Sequence, residues 1–300
     1  MSLADIWLFV QQGVLSGLVT GSIYALLALS VVIIFKTTDV ANFAQGEIFM
    51  TAAYIALYCV VIFATTLFVG IITSFVLTML FCAVFQRLIL RQVQKASGVA
   101  VNLVIATLGF SYFLKGVVRS TGLGDTPRSL PAVFSSESIP IGQASITQLD
   151  AAIFLIAVGV MMGLFFMFNR TRFGKALRAV GMNPRGSQLV GVNLDRMHIL
   201  IWAISGLISA IAAVLIAPKI LMTTDMGHVM MLGFAAAIIG GFNSLPGAVV
   251  GGFIVGILEN LVGLFISTNA IVVAPFLAIM VILLLRPQGL LGGKFQVKKL

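Results

Sequence analysis

Apolar side chains occupy long runs of the chain, and short polar stretches separate these runs. A helix needs roughly 20 residues to cross the hydrocarbon core of a bilayer, which is about 30 Å thick. The runs that approach this length lie at 8–35, 44–60, 62–85, 100–119, 150–168, 199–217, 247–267 and 270–286. A ninth run, 229–241, is apolar but short, as expected of a half-helix or of a tilted span surrounded by protein. The pattern predicts an all-α, polytopic transmembrane helical bundle of about eight or nine membrane-crossing helices.

Composition agrees with this fold class and excludes several others. Hydrophobic residues make up 60% of the chain and charged residues only 9%, whereas roughly a quarter of the residues in a soluble domain are charged. Disorder is excluded because so many apolar side chains must be buried. The formal net charge of +9 raises the question of a nucleic-acid partner. The basic residues argue against such a partner, because most of them fall between the predicted spans or at their ends.

Lysine and arginine residues gather on one side of the predicted membrane. Four segments, 36–43, 86–99, 169–198 and the tail from Arg286, contain 14 of the 18 basic residues. Cytoplasmic loops carry such an excess, so we expect an external N-terminus and a cytoplasmic C-terminus, which requires 229–241 to cross. We expect residues 1–300 to form a single integral-membrane domain. Its two long connections are then an external loop at 120–149 and a cytoplasmic loop at 169–198.

Signatures of enzymes are missing from the chain. The segment Gly289–Phe295 resembles a phosphate-binding loop but lacks its first glycine and the Ser or Thr after the lysine. His198 and His228 stand apart, so no pair has the spacing of metal ligands. We therefore predict no catalytic residue, no metal site and no cofactor site in this chain. We also predict no nucleic-acid partner.

Two polar segments interrupt the apolar pattern, at Asp39–Glu47 and at Gly240–Gly247. Interrupted helices in the two halves of a chain mark the substrate path of many transporters. The alternative is that both segments are tight cytoplasmic turns. Glu259 is the only acid in the middle of an apolar span, which makes it a candidate for function, for a structural hydrogen bond, or for a neutral acid. The candidates for a translocation path or gate are Asn42, Gln45, Gly46, Glu47, Gly240, Gly241, Asn243 and Glu259.

The basic loop 169–198 contains the signals of a short helix outside the membrane. Asn183 is a suitable N-cap, Pro184 suits the first helical position, and Gly191 suits the end of the helix. We predict a helix of about two turns between these residues. A short helix that stands between two spans offers a docking point for a partner protein.

Glycines recur at intervals of four residues within two of the spans. They are Gly13, Gly17 and Gly21 in the first span, and Gly247, Gly251, Gly252 and Gly256 near the end of the chain. Such spacing lets helix backbones approach closely in lipid, where packing holds helices together. We interpret these glycines as packing signals.

At the basic loop, the sequence resembles the permeases of ATP-binding-cassette importers. Their coupling helix carries a loose pattern of Glu-Ala-Ala, three residues and Gly. Here Arg185-Gly186-Ser187 replaces Glu-Ala-Ala, whereas Gly191 and its spacing match. Further similar segments are Gly21–Leu29, Asn42–Glu47, Thr171–Ala179, Ile239–Gly241 with Pro246–Ala248, and Leu285–Gly292. Over residues 10–293 they resemble the H-type permease subunit of high-affinity branched-chain amino acid importers.

The resemblance implies a permease of the importer fold that forms a pore with a second, related permease subunit. It implies two cytoplasmic ATPase subunits that bind the ATP, and a periplasmic binding protein that delivers leucine, isoleucine or valine across a bacterial inner membrane. By the same resemblance, the Asn42–Glu47 and Gly240–Gly247 segments lie near the translocation path or its gate. The residues implied in ATPase coupling are Asn183, Pro184, Arg185, Gly186, Ser187, Gln188, Leu189, Val190 and Gly191.

Two alternatives remain open at this point. The same machinery could carry another cargo, such as urea or short amides, since nothing in the sequence defines a side-chain pocket. A stand-alone ion-driven carrier would need intramembrane acids to bind its coupling ions, and Glu259 is the only one in the middle of a span.

Overall fold

The computed structural model describes residues 3–96, 99–124, 126–135, 137–142 and 144–293. Helices dominate this part of the chain, and each of the nine apolar runs forms one, which confirms the predicted fold class. The helices that correspond to these runs are α1 (Leu3–Thr38), α2 (Gln45–Val61), α3 (Leu67–Phe85), α5 (Ala100–Ser120), α6 (Gln148–Arg170), α9 (Leu194–Ile216), α10 (Val229–Gly240), α11 (Leu245–Phe265) and α12 (Ala270–Leu285). The remaining helices are α4 (Arg91–Ala96), α7 (Arg172–Met182) and α8 (Pro184–Leu189).

The spans differ in length. Within the described ranges, 6 helices are long and apolar enough to cross a membrane, and the apolar helices Gln45–Val61, Met226–Gly240 and Ala270–Leu285 are shorter. A 3-10 turn, Met226–His228, leads into α10. Since α10 itself has 12 residues, it is about 18 Å long at about 1.5 Å per residue. This length is less than the thickness of the hydrocarbon core, about 30 Å. A crossing at this point therefore includes the non-helical chain before α10 as well as the helix.

The connection after α3 differs from its prediction. We expected 86–99 to be a break between spans, but the chain continues as a π-helix at Gln86–Leu90 and then as α4. The segment contains no proline or glycine before residue 98, and an ion pair between Arg91 and Asp195 of α9 holds one of its charges. A basic stretch with leucines between its charges can thus continue a helix beyond the apolar run.

The predicted external loop 120–149 contains a small antiparallel hairpin. Strand β1 (Ser138–Ile141) pairs with β2 (Ala144–Thr147), and Ser138 lies opposite Thr147. Helix α6 begins directly after β2, at Gln148. The loop is therefore shorter and more ordered than its turn-rich composition suggested.

The described residues form two compact units, and the boundaries fall inside α1, α6 and α10. The first unit contains the described residues of 1–29, 132–161 and 231–295. The second unit contains those of 30–131 and 162–230. Each unit is described separately below.

Two glycine-bearing helices form the core of the first unit. A Cβ added at Gly17 of α1 would lie 2.6 Å from the Cα of Ile257 in α11. A Cβ added at Gly256 would lie 2.3 Å from the backbone nitrogen of Gly21. Contacts this short exclude any side chain, so the backbones of α1 and α11 touch. The interpretation of these glycines as packing residues is confirmed.

In the second unit, α2, α3 and α9 pack against one another. Cys82 of α3 fills the space beside Gly206 of α9, where an added Cβ would lie 2.6 Å from the sulfur. Phe110 of α5 stacks on Phe85, with ring centroids 3.8 Å apart, and Phe85 contacts Trp202 of α9. These helices form the scaffold on which the first polar segment rests.

Candidate functional site

The segment that precedes α2 is fixed by a buried cluster of polar side chains. Asn42 Oδ1 accepts a hydrogen bond from the Ala44 N–H, and Asn42 Nδ2 donates to Gln45 Oε1 at 2.6 Å. Gln45 Nε2 in turn donates to Ser205 Oγ at 3.1 Å and to Ser209 Oγ at 2.5 Å. Asn42 and Gln45 are 1% and 0% exposed. The start of α2 is therefore attached to α9 through the amide of Gln45.

The same cluster extends to the second half of α1. Ser205 Oγ donates to the Ser30 carbonyl oxygen at 2.8 Å. On the other side, the Phe43 N–H donates to Thr107 Oγ1 of α5 at 3.4 Å. Thr107 is seven residues into α5, or about 10 Å from its first residue. The start of α2 therefore lies beside α5 about two turns after the first residue of α5, and not beside that first residue.

Gly46 provides the closest approach between α2 and the chain that leads to α10. A Cβ added at Gly46 would lie 2.7 Å from the Gly227 carbonyl oxygen. Glu47 is next in the sequence and half-buried. Asp225 accepts a hydrogen bond from Lys115 of α5 at 2.6 Å, and this ammonium lowers the pKa of the Asp225 carboxyl below its ordinary value. The chain before α10 is thus tied to α5 and to the first turn of α2.

The second polar segment, Gly240–Gly247, separates α10 from α11 in the first unit. Gly241 has φ +104, a conformation that favours glycine. Ser244 caps α11, since its Oγ accepts from the Gly247 N–H at 3.0 Å, and Asn243 is half-buried within the turn. The segment forms a tight turn between two helices, and its place on a substrate path stays a prediction.

The C-terminal segment binds to the end of α10, which the sequence analysis did not predict. The Leu290 N–H donates to the Ile239 carbonyl at 2.8 Å, and the Leu291 N–H donates to the Gly240 carbonyl at 3.0 Å. The last carbonyls of a helix lack partners within it. Here the segment around Leu290 supplies N–H donors to two of these carbonyls. Its glycines were visible in the sequence, but nothing there identified the helix that they contact.

Glu259 lies on α11 and faces α1 within the first unit. Tyr24 donates a side-chain hydrogen bond to its carboxyl group. The neighbouring Asn260 donates to Thr20 Oγ1 at 3.3 Å and to the Gly256 carbonyl at 2.9 Å. Among the described residues, none pairs with Glu259 Oε2. The expected structural hydrogen bond is present, and it joins α11 to α1.

The short helix outside the spans is confirmed in the basic loop. Asn183 Oδ1 accepts from the Gly186 N–H at 2.9 Å, Pro184 is the first residue of α8, and Gly191 has φ +87 just beyond its end. Ser187 is buried, and its Oγ donates to the Asn183 carbonyl at 2.8 Å. The exposed positions of the predicted set are Asn183, Arg185, Gln188, Leu189, Val190 and Gly191.

Helix α8 presents apolar side chains to the outside and is connected to a span. Leu189 and Val190 are 89% and 78% exposed. On the other side, the preceding helix α7 ends against α1, where a Cβ added at Gly181 would lie 2.8 Å from the Lys36 carbonyl oxygen. A force applied to α8 is therefore transmitted to α7 and to the end of α1.

The structure brings the first set of predicted residues together with partners that the sequence did not reveal. Asn42, Gln45, Gly46 and Glu47 belong to the second unit, whereas Gly240, Gly241, Asn243 and Glu259 belong to the first. Ser205 and Ser209 were missed, although two serines four residues apart in an apolar helix are a signal of a polar contact. Thr107 was missed because a single threonine in a span carries no such signal.

Comparison with known proteins gives a consistent result along the chain. A family model described as "Branched-chain amino acid transport system / permease component" matches residues 13–285. The high-affinity branched-chain amino acid transport system permease protein LivH of Salmonella typhimurium is 29% identical, over 97% of this chain and 98% of that protein. The corresponding protein BraD of Pseudomonas aeruginosa is 28% identical, over 96% and 97%. A probable LivH of Methanocaldococcus jannaschii is 26% identical, over 94% and 93%.

Proposed function

Because this chain belongs to the family of branched-chain amino acid transport system permease components, we propose that it forms the translocation path for leucine, isoleucine and valine in an ATP-driven importer. The observation that carries the proposal is similarity to LivH and BraD over nearly the whole length of each protein. It is supported by a helical fold with 6 helices in the described ranges that are long and apolar enough to cross a membrane. In this role the chain is a transport subunit and not an enzyme.

The partners follow from the same role. A second, related permease completes the pore, two cytoplasmic ATPase subunits bind ATP, and a periplasmic binding protein delivers the amino acid. Leu189 at the end of α8 and Val190 just after it are aliphatic side chains that lie largely outside the packed core. Exposed apolar side chains mark protein–protein contact sites, and this supports docking of an ATPase here. This chain itself binds no nucleotide and no cofactor.

The mechanism is alternating access driven from outside the chain. Closure of the ATPase dimer moves α8, and α7 passes the movement to the end of α1 through the contact of Gly181 with Lys36. The Gln45 cluster then makes α1, α2 and α9 move as one body, because its hydrogen bonds join all three helices. A path of low affinity suits this cycle, since tight binding would slow release into the cytoplasm.

The orientation places the N-terminus in the periplasm and the C-terminus in the cytoplasm of a bacterial inner membrane. The positions of the basic residues support this assignment. Labelling of single added cysteines tests it, since the native Cys59 and Cys82 are buried. Ser135→Cys should react with a membrane-impermeant maleimide from outside the cell, and Gln188→Cys only after the cells are opened. The reverse pattern would overturn the orientation.

The function is tested by reconstitution with the second permease, the ATPases and the binding protein. Leucine-loaded binding protein should stimulate ATP hydrolysis and drive leucine into vesicles, and valine should compete whereas urea should not. Competition by urea without competition by valine would favour the alternative cargo. Uptake that persists without the ATPase subunits would favour an ion-driven carrier.

A further inference from the structure

Four polar side chains of α2 that follow Gln45 lie on one face of the helix. Glu47, Thr51, Tyr54 and Tyr58 follow one another at steps of four, three and four residues. At about 100° per residue they fall within an arc of about 60°. We call these four residues the α2 polar row. Most other residues of α2 are apolar. The alignment of these four polar side chains on one face therefore does not follow from composition alone.

The opposite face of α2 is the one that anchors the helix. Gln45 lies about 200° from the row's first member and holds α9. Further along the same side, the Ala52 carbonyl accepts from Ser74 Oγ of α3 at 2.6 Å. The α2 polar row therefore points away from the packing contacts that α2 makes with α3 and α9.

The α2 polar row has defined neighbours at both ends. At one end, Tyr58 donates to the Thr121 carbonyl just after α5, at 3.3 Å. At the other end, Glu47 Oε1 lies 3.5 Å from the position that a Cβ would take at Gly227. The row thus extends from the end of α5, at Thr121, to the chain just before the half-length helix α10, at Gly227. It spans the outer part of the protein as we have oriented it.

The two central members of the row are buried and lack hydrogen-bond partners. Thr51 is 8% exposed and Tyr54 is 3% exposed, and neither Thr51 Oγ1 nor Tyr54 OH has a partner among the described residues. Thr37 and Thr107, in other spans, donate to carbonyls three or four residues earlier, whereas Thr78 of α3, like Thr51, has no partner among the described residues. Buried hydroxyls in folded proteins almost always have partners. The two hydroxyls of the row are therefore available to bind a group from outside the chain.

We propose that the α2 polar row binds the charged head of the amino acid as it passes through the permease. Glu47 accepts hydrogen bonds from the α-ammonium group, while Thr51 Oγ1 and Tyr54 OH donate to the α-carboxylate. Side chains one turn apart on a helix have Cβ atoms about 5–6 Å apart, so neighbouring members of the row can each reach one of the two charged groups that a single carbon atom carries. This inference rests on the proposed function and names the residues that would carry it out.

The composition of the row also suits a transient site. The carboxylate would be bound by two neutral hydroxyls, whose hydrogen bonds are weaker than those of an arginine. The row contacts only the part that leucine, isoleucine and valine have in common, so it does not distinguish among them. Urea and short amides lack both charged groups, and the row offers them no comparable binding.

The test uses the complete complex in vesicles, with leucine uptake and ATP hydrolysis measured in parallel. The variants are Thr51→Val and Tyr54→Phe, which remove one oxygen each, and Glu47→Gln, which removes the charge. Matched controls are Thr78→Val, because Thr78 Oγ1 on α3 is also buried without a partner among the described residues, and Tyr112→Phe, because Tyr112 on α5 is exposed. Thermal unfolding of each variant confirms that it is folded.

Thr51→Val and Tyr54→Phe should each lower leucine uptake by about 10- to 100-fold, the effect of one lost hydrogen bond to a charged group. Glu47→Gln should lower it further, and ATP hydrolysis stimulated by the loaded binding protein should stay within about twofold of wild type. Both controls should transport like wild type. Uptake by Thr51→Val and Tyr54→Phe equal to that of the controls would overturn this inference alone. A wild-type complex that imports no leucine would instead overturn the proposed function.

Discussion

Gln45 on α2 and Ser205 on α9 are joined by a buried hydrogen bond, with 3.1 Å between the amide nitrogen of Gln45 and Ser205 Oγ. The bond links residues 160 positions apart in the sequence. It holds the start of α2 against α9, whereas the middle of the helix is held by Ser74 of α3. Any movement of α9 is therefore passed to the segment around Asn42.

Replacement of Gln45 by leucine should destabilise the protein. The substitution removes two donors and leaves Asn42 Nδ2 and Ser209 Oγ buried without a partner in the cluster, which costs about 1–3 kcal/mol for each such group. We expect the free energy of unfolding in mixed micelles to fall by about this amount. Gln92→Leu is the control, because Gln92 is exposed on α4. Equal stability of the two variants would contradict the role of the cluster.

Gly256→Ala should separate α1 from α11. The new methyl group would lie 2.3 Å from the Gly21 backbone nitrogen and 2.5 Å from the Gly17 carbonyl oxygen, so two helix backbones must move apart. Such overpacking costs about 1–3 kcal/mol, seen as a lower midpoint of thermal unfolding. In Gly159→Ala, the methyl group meets nothing within 4 Å, and this variant should unfold like wild type.

Gly289→Ala should detach the C-terminal segment from α10. Gly289 has φ +78, and a Cβ there would lie 2.6 Å from the Gly241 backbone nitrogen. We expect the amide protons of Leu290 and Leu291 to exchange with solvent at least about tenfold faster, since each tenfold corresponds to about 1.4 kcal/mol. Gly293→Ala, with no atom within 4 Å of the new methyl group, should leave these exchange rates unchanged.

Gly191→Leu should uncouple ATP hydrolysis from uptake. A leucine with φ +87 is strained by about 1–2 kcal/mol, so the chain after α8 must change direction while the spans remain folded. The expected result is an assembled complex that hydrolyses ATP with little leucine uptake. Gly163→Leu, at an exposed position of α6 with open space around it, should transport normally. Unchanged uptake by Gly191→Leu would contradict the assignment of α8.

The ion pair of Lys115 with Asp225 should stabilise the protein only above acidic pH. Because Lys115 lowers the pKa of Asp225 in the folded protein, folding favours the ionised carboxyl. Its contribution is complete above the pKa of an unfolded aspartate, about 3.9, and is lost as the pH falls through the lower folded value. At pH 7, Asp225→Asn should have the lower unfolding midpoint. The difference from wild type should disappear as the medium is acidified toward pH 3, and a constant difference would contradict the pairing.

The helices could be predicted because membrane helices are specified locally. A run of about 20 apolar residues has few alternatives in lipid, since backbone groups must be paired within the segment. The same holds for α8, because Asn183, Pro184 and Gly191 act within one or two turns. The segment 86–99 was predicted wrongly because its charges were interpreted as a loop. A basic helix that continues beyond a span has the same composition as a basic loop.

The candidate site was only partly predictable, because its contacts join distant parts of the chain. Asn42 and Gln45 were identified as an interruption, but their partners Ser205 and Ser209 are more than 150 residues away. Thr51 and Tyr54 were within reach of the sequence, since a helical projection of 44–60 places them on the same side as Glu47 and Tyr58 and opposite Gln45. They were overlooked because the run was considered as a uniformly apolar span.

The attachment of Leu290 and Leu291 to the end of α10 also constrains how the protein is made. Ribosomes add about 5–20 residues each second, and the two leucines follow Ile239 and Gly240 by about 50 residues. For several seconds after α10 has been synthesised, its last carbonyls lack these two N–H donors. During that time they lie inside the insertion machinery or accept hydrogen bonds from water. Insertion of the first unit is therefore complete only when Leu290 and Leu291 have been translated. A nascent chain stalled between α12 and Leu290 should remain sensitive to proteases that the finished protein resists.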